Sequence, residues 1–350
     1  MLRHAAGETP LVVEAGALDR LDALIAHHLP GHRPIAILDA TVARLHPDLL
    51  AGAPHLLLPS GEEHKTRASW SRLSDELLAL GADRRSAIVA IGGGVTTDLG
   101  GFVAATYLRG IPWIAVPTTT LAMCDAAIGG KTGVDTPHGK NLIGAFHQPR
   151  AVVADPRVLA SLPEGTYREG LVEAVKHAAI ADGDLFAWLE RELPAILARD
   201  EAALEQLLRR SMAIKAAVVS ADEREGGRRA ILNAGHTIAH AAEHASDYRL
   251  SHGAAVAIGL VLESRIGERL ALTEPGTSDR LATLLGRMDL PILLPEGLDP
   301  QAFRAALALD KKNRDGTVRA ALIARIGAMA GSDAAGWTSI LPLEMVNQPS

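Results

Sequence analysis

The sequence predicts a mainly parallel α/β domain over residues 1–158 followed by a helical domain over residues 159–350. Three observations carry this. Short β-like runs alternate with helical patterns through the first 160 residues, the arrangement of βαβ units. A glycine-rich turn, Gly92-Gly93-Gly94, joins one such run to a helical pattern. After Leu162-Pro163-Glu164 the β-branched runs nearly stop and long helical patterns take over.

In chain order, 11–14 reads as a strand, 17–28 as a helix, and 34–38 as a strand ended by Asp39. A third strand, 55–58, is closed by Pro59-Ser60-Gly61. Residues 67–80 have helical periodicity, with Trp70, Leu73, Leu77 and Leu78 expected on one side. Residues 86–91, 111–116 and 151–154 are further strands. The helical half shows patterns at 167–180, 184–193, 202–220, 229–245 and 254–271, with one late β-like run at 319–325. The boundary between halves falls near Asp155–Leu162, and a cleft between them is the expected ligand site.

Composition bounds the function. The 350 residues are 48% hydrophobic but only 3% aromatic, so the core is aliphatic and a base-stacking surface for single-stranded nucleic acid is excluded. A net charge of −6 argues against a nucleic-acid backbone clamp, though not against a local cationic pocket. One cysteine, Cys124, rules out an intrachain disulfide and a cysteine-rich zinc cluster, and suits a reducing cytoplasm. The first ten residues lack a basic stretch followed by an apolar one, which predicts no secretory signal. The longest apolar stretch, around 253–262, falls well short of the ~20 residues that span a bilayer. The expectation is a cytoplasmic protein with no membrane or nucleic-acid partner.

Three local signals point to chemistry. Glycines in Gly92-Gly93-Gly94-Val95-Thr96-Thr97-Asp98 allow close backbone approach to a pyrophosphate at a helix N-terminus. The same turn is also what a tight strand-to-helix connection needs. In the helical half His236 and His240 are spaced i, i+4, and His252 follows in Leu250-Ser251-His252-Gly253. Thr237 stands where a zinc peptidase would carry its glutamate, so that class is disfavoured. A catalytic metal needs three protein ligands, and Glu173 in Glu173-Ala174-Val175-Lys176 is a candidate third; a satisfied core histidine and a surface ion pair would look the same. Finally, Asp125, Lys131, Lys140-Asn141, Lys215, Arg229 and Asn233 place polar groups in Ala-, Ile- and Gly-rich surroundings, which suggests an acidic small-molecule substrate as against a solvated surface.

Taken together, the runs 92–98, 117–119, 125–131, 139–146, 173–176, 232–237 and Asp310-Lys311-Lys312 resemble the sugar-phosphate cyclases, the dehydroquinate synthases above all, in order over roughly 39 to 327. The resemblance implies a Rossmann-like NAD-binding domain and an all-α metal-binding domain, in a homodimer. It implies Glu173, His236 and His252 as ligands of zinc or cobalt. It implies Asp125, Lys131, Lys176, Lys215, Arg229, Asn233 and His240 as catalytic groups at the substrate. Arg109, Asn141 and Lys311 are implied as substrate-binding, Arg109 reaching into the neighbouring subunit's site. Asp39, Glu62, Lys65, Gly93, Gly94, Asp98, Thr118, Thr119 and Lys140 are implied as NAD contacts.

The implied reaction converts 3-deoxy-D-arabino-heptulosonate 7-phosphate to 3-dehydroquinate and phosphate, step two of the shikimate pathway. It runs by transient oxidation at C5, β-elimination of phosphate, re-reduction, ring opening and intramolecular aldol closure. Three positions depart from the family pattern: Asp135 where Asn is frequent, Ala126-Ala127 where Ser-Ser is common, and Thr41 where an Asn contacts the cofactor. None removes an implied ligand. The alternatives are a 2-epi-5-epi-valiolone synthase or 2-deoxy-scyllo-inosose synthase, whose substrates lack the carboxylate, a metal-dependent polyol dehydrogenase, which would release NADH, and an inactive NAD-binding scaffold. Arg229, Asn233 and Lys215 favour the carboxylated substrate.

Overall fold

Residues that are apolar on both faces of a strand belong in a parallel sheet covered by helices on both sides. The computed structural model, which describes residues 1–49, 52–309 and 317–342, follows that rule. The chain divides into two units: Met1–Pro163 with Glu201–Ala216, and Glu164–Asp200 with Ala217–Ser350. The first unit carries, in order, β1 (Leu2–His4), β2 (Gly7–Thr9), β3 (Leu11–Val13), α1 (Leu21–His28), β4 (Arg33–Asp39), α2 (Ala40–Leu45), β5 (His55–Leu58) and α3 (Arg67–Ala79). It continues with β6 (Ser86–Gly92), α4 (Gly94–Thr106), β7 (Trp113–Pro117), β8 (Lys131–Thr136), β9 (Gly139–Phe146) and β10 (Val152–Ala154). The second unit holds α5 (Glu164–Ala181), α6 (Gly183–Leu197), the end of α7 (Glu201–Ala221), α8 (His236–Ala245), α9 (His252–Arg269), α10 (Thr277–Arg287) and α11 (Pro300–Leu309). Beside these helices lie β11 (Thr317–Ala320), β12 (Ile323–Arg325), β13 (Ala328–Met329) and β14 (Ser339–Pro342).

The main sheet has strand order β3-β10-β7-β6-β4-β5, and every pairing in it is parallel. All seven residues of β6 and all five of β7 are buried. From β4 the chain lays β5 on one side and then β6 on the other. This reversal opens a crevice beyond the carboxyl ends of β4 and β6, where open α/β sheets bind ligands. Small residues let α4 lie close to the sheet: a Cβ on Gly100 would come within 2.7 Å of the Ala90 Cβ, and one on Gly101 within 2.5 Å of the Thr132 methyl.

In the second unit α9 is buried almost all round, from Gly253 to Gly267, as expected of a central helix. The start of α8 rests on it by backbone contact. Gly235 precedes α8 in the left-handed region (φ 79°), and a Cβ on Gly259 would fall 1.8 Å from the Gly235 carbonyl oxygen. Among the described residues no helix is long and apolar enough to cross a membrane.

Four expectations need correction. The helix expected over 229–245 is broken: residues Arg228–Asn233 form a 3-10 turn, Ala234 is extended (ψ 129°), and Gly235 reverses the chain before His236 starts α8. Arg229, Asn233 and His236 therefore do not share one helix face. Leu78 is 61% exposed, whereas Leu73 and Leu77 are fully buried, because the period that buries those two turns position 78 outward. The late run 319–325 splits at Ala321-Leu322 into β11 and β12, which pair with β14 and β13. The antiparallel hairpins β1–β2 and β8–β9 were not anticipated. In β9 nearly every residue faces solvent on both sides, so no hydrophobic alternation marks it. Lys311 and Lys312 lie outside the described residues.

Candidate active site

In the first unit, Asp39 ends β4 and Gly92 ends β6, side by side at the crevice. A Cβ on Gly92 would meet the Thr96 hydroxyl at 2.5 Å and the Asp39 Cβ at 2.9 Å, so only glycine fits. Asp39 Oδ1 accepts from the Thr41 and Val42 amides at 2.8 and 3.2 Å and from the Ser60 hydroxyl at 2.7 Å. Helix α4 starts at Gly93 with no side-chain cap, and the buried Thr96 hydroxyl lacks a hydrogen-bond partner. Uncapped N–H groups beside glycine backbone suit the diphosphate of a dinucleotide. Thr118 continues from β7, its amide donating to the Gly92 carbonyl at 2.9 Å, and Thr119 lies against Gly93. The Lys65 ammonium, nearly buried, reaches Asp98 Oδ2 at 2.5 Å. Burial works against its charge, but the Asp98 carboxylate outweighs this and holds Lys65 above its ordinary range. Glu62 opens the short turn that ends at Lys65.

A single π-helical turn, Ala122–Ala126, carries Asp125. Such turns widen the backbone and recur at functional sites. The Lys215 ammonium, on α7 and buried, binds both the Asp125 carbonyl (2.7 Å) and its Oδ1 (2.5 Å). Lys131 opens β8, while Lys140 and Asn141 open β9, all three exposed, with Asn141 in the left-handed region (φ 55°). Its amide donates to Asp135 Oδ1 at 2.8 Å, a bond that Asn at 135 would accept equally, so the structure does not explain the departure there. Arg109 is exposed on a stretch, Leu108–Gly110, with three successive positive φ angles. Strain of this kind persists where surrounding structure imposes it.

The second unit contains a convergent acid–histidine cluster. Glu173 and Lys176, both 1% exposed, project from α5 as a buried ion pair, not the surface pair their spacing also allowed. Neither Glu173 oxygen has a hydrogen bond of acceptable geometry. His236 Nε2 and His252 Nε2 each lie 3.9 Å from Glu173 Oε1. That is too long for a hydrogen bond, but one ion with bonds of about 2.0–2.2 Å reaches all three ligand atoms. The residues therefore fit a divalent metal. His236 Nδ1 donates to the Ala234 carbonyl at 3.1 Å, which leaves its Nε2 lone pair facing Glu173. Burial, the Lys176 ammonium and the neighbouring imidazoles hold His236 well below its ordinary pKa, so it is neutral and ready to ligate. His252 Nδ1 faces Glu243 Oε2 at 3.5 Å. Burial opposes its charge, but Glu243 and then Glu173 raise its pKa, so a proton competes with metal there more than at His236. His240 is exposed, its ring 5.4 Å from that of His236 and 6.5 Å from that of His252. The i, i+4 pair thus supplies one member of the convergent set, not two.

Arg229 is 3% exposed and its Nη1 donates to the Glu223 carbonyl at 2.5 Å. Asn233 Nδ2 donates to Glu225 Oε1 at 3.1 Å. Glu225, Glu243 and Glu263 were not singled out in the sequence. Glu243 falls three residues after His240 on the same helix, and Glu263 directly follows the long apolar run 253–262 of α9; both placements are visible in the sequence.

Glu263 of α9, 3% exposed, accepts from the Gly235 amide at 2.8 Å and the Ile238 amide at 3.0 Å, and so caps α8 from a neighbouring helix. Burial pushes its carboxyl from 4.5 up to about 8, against those N–H groups, which favour the charge. The folded protein therefore binds a proton that the unfolded chain releases between these values, and stability falls as pH rises through that window. The slope is at most about 1.4 kcal/mol per pH unit for one proton. Glu263→Gln should lose this slope. Urea unfolding of both proteins from pH 5 to 8 tests it, and a difference between them that does not change with pH would refute the assignment.

The comparisons agree with this geometry. Family models described as 3-dehydroquinate synthase N-terminal and C-terminal match residues 55–169 and 170–313. The chain is 45% identical over 328 residues to a 3-dehydroquinate synthase of Symbiobacterium thermophilum, covering 91% of this chain and 92% of that one. It is 49% identical over 279 residues to one of Nostoc sp., covering 79% and 77%. Among solved structures, a 2-deoxy-scyllo-inosose synthase complexed with carbaglucose-6-phosphate, NAD+ and Co2+ superposes with TM-score 0.87 at 28% identity, covering 96% of this chain and 95% of that one. A 2-epi-5-epi-valiolone synthase from Streptomyces hygroscopicus, with NAD+ and Zn2+ bound, gives 0.85 at 29%, covering 97% and 94%. With a Rossmann-like crevice, a Glu–His–His cluster and relatives of this identity along most of its length, the chain belongs to the 3-dehydroquinate synthase family.

Proposed function

We propose that the protein is a 3-dehydroquinate synthase, a lyase converting 3-deoxy-D-arabino-heptulosonate 7-phosphate to 3-dehydroquinate and phosphate. The observation that carries this reading is the retention of buried Arg229 and Lys215 alongside the Glu173–His236–His252 cluster in a chain of this family. A carboxylated substrate needs such cations, and the alternative cyclase substrates do not.

When bound, NAD supplies a reversible hydride acceptor and a divalent zinc or cobalt ion a Lewis acid for a substrate oxygen. Gly93, Gly94, Thr118 and Thr119 hold the dinucleotide, with Asp39, Glu62, Lys65, Asp98 and Lys140 around it. Glu173, His236 and His252 hold the ion. Lys131, Asn141 and Arg109 hold the phosphate, Arg109 from a second subunit. Lys215 and Arg229 grip the carboxylate, for which a guanidinium is suited by its bidentate fork. Asp125, Asn233 and His240 orient the hydroxyls, and Lys176, beside Glu173, donates a hydrogen bond from its ammonium to a substrate hydroxyl. Phosphate assists its own elimination, so no dedicated strong base is required. We also place the protein in the cytoplasm as a homodimer.

The metal-loaded protein should release phosphate and dehydroquinate in equal amounts from the heptulosonate phosphate with NAD at catalytic concentration, and NADH should not accumulate. No phosphate, or phosphate only from sedoheptulose 7-phosphate, would sink this reading. Stoichiometric NADH would favour a polyol dehydrogenase.

A further inference from the structure

The segment between α7 and α8 is folded around one carboxylate. Asp222, immediately after α7, accepts from three backbone amides: Gly226 to Oδ1 at 2.9 Å, Gly227 to Oδ2 at 2.7 Å and Arg229 to Oδ2 at 2.9 Å. Burial pushes the Asp222 carboxyl up, but the three N–H groups outweigh it and hold it below the usual carboxylate range. The turn these bonds close is not one the chain adopts freely. Glu225 is in the left-handed region at φ 61°. Within it, Arg229 is fixed at two points, its amide on Asp222 and its Nη1 on the Glu223 carbonyl, while Glu225 takes the Asn233 amide group. The two side chains assigned to substrate polar groups thus depend on one turn, and the turn depends on Asp222.

We propose that Asp222 is a positioning residue: it pre-organises residues 223–229 so that Arg229 is set for a substrate carboxylate, and it thereby favours carboxylated substrates. This rests on the function proposed above. An arginine already held in place loses less freedom on binding than a mobile one, so the gain falls on substrate binding more than on the chemical steps. Asparagine at 222 has one acceptor oxygen, which can serve Gly227 and Arg229 or Gly226 but not all three, and its NH2 group then faces the amide left over. The carboxylate charge that strengthens all three bonds is lost with it.

The test uses the metal-loaded enzyme with NAD. For Asp222→Asn, KM for the heptulosonate phosphate should rise ~10–100-fold while kcat changes less than ~3-fold, the range expected from losing hydrogen bonds to a charged acceptor. Metal and NAD affinities should not move. Arg229→Lys should show the same split, and the double variant should be scarcely worse than either single one, because Asp222 acts through Arg229. An unchanged KM, a double variant whose effects simply add, or a loss shared equally by kcat and metal affinity would overturn the proposal. If the variant does not fold, hydrogen exchange in the ligand-free wild type decides: the amides of Gly226, Gly227 and Arg229 must already be protected, and exchange at unprotected rates refutes pre-organisation. A wild type that never converts the heptulosonate phosphate defeats the functional reading instead, a result separable from that exchange measurement.

Discussion

His252→Ala should lose bound metal and turnover together. A catalytic ion is held by three protein ligands with one position open, and alanine leaves only Glu173 and His236 of the three convergent ligand residues. The Lewis-acid contribution is several kcal/mol, so the expected fall in turnover is about 10³-fold or more at fixed metal concentration. Metal content by atomic absorption and phosphate release, measured on the same preparation, check it. Full activity in a protein with no bound metal would remove Glu173, His236 and His252 from the mechanism. Glu243→Gln supplies a graded companion, since it keeps the ligand but weakens the acceptor facing His252 Nδ1 at 3.5 Å.

Lys176→Met should strand the Glu173 carboxylate. Both groups are 1% exposed and no hydrogen bond of acceptable geometry satisfies either carboxylate oxygen, so the ammonium supplies its main compensation before metal arrives. Breaking a buried pair by deleting one partner costs about 3–5 kcal/mol. A bound divalent ion supplies that compensation anew. The variant's deficit in unfolding temperature should therefore be large in metal-free protein and shrink by more than half at saturating zinc. An equal deficit in both conditions would mean that Lys176 stabilises the fold independently of Glu173.

The parallel sheet was legible because β4, β6 and β7 are apolar on both faces, a pattern that solvent-exposed strands do not produce. The β8–β9 hairpin was not, since its residues are sorted by backbone pairing and by the polar groups it presents, not by burial. The cluster was half legible. Spacing alone drew His236 to His240, its neighbour one turn along the helix, while the His252 ring, 16 residues later on α9, lies as near, at 5.3 Å against 5.4 Å. The residues alone already offered Glu173 and His252 as candidates, and the resemblance over many motifs chose His252 over His240. Asp222 and Glu263 escaped notice because each acts on backbone amides, and which amides a carboxylate meets is decided by the fold of turns and the packing of helices, not by any neighbour in sequence.

The contact between Gly235 and Gly259 has a bearing on how this protein tolerates change. Since a Cβ on Gly259 would collide with a carbonyl oxygen at 1.8 Å, the separation of α8 and α9 at that point is set by main chain alone. His236 stands one residue beyond one side of the contact and His252 seven residues before the other. Drift in the aliphatic core can alter volumes elsewhere while leaving this spacing fixed, much as a machine's bearing keeps its gauge when the housing is recast. Directed evolution of the substrate pocket can therefore vary its aliphatic lining widely, provided that these two glycines are withheld from the library.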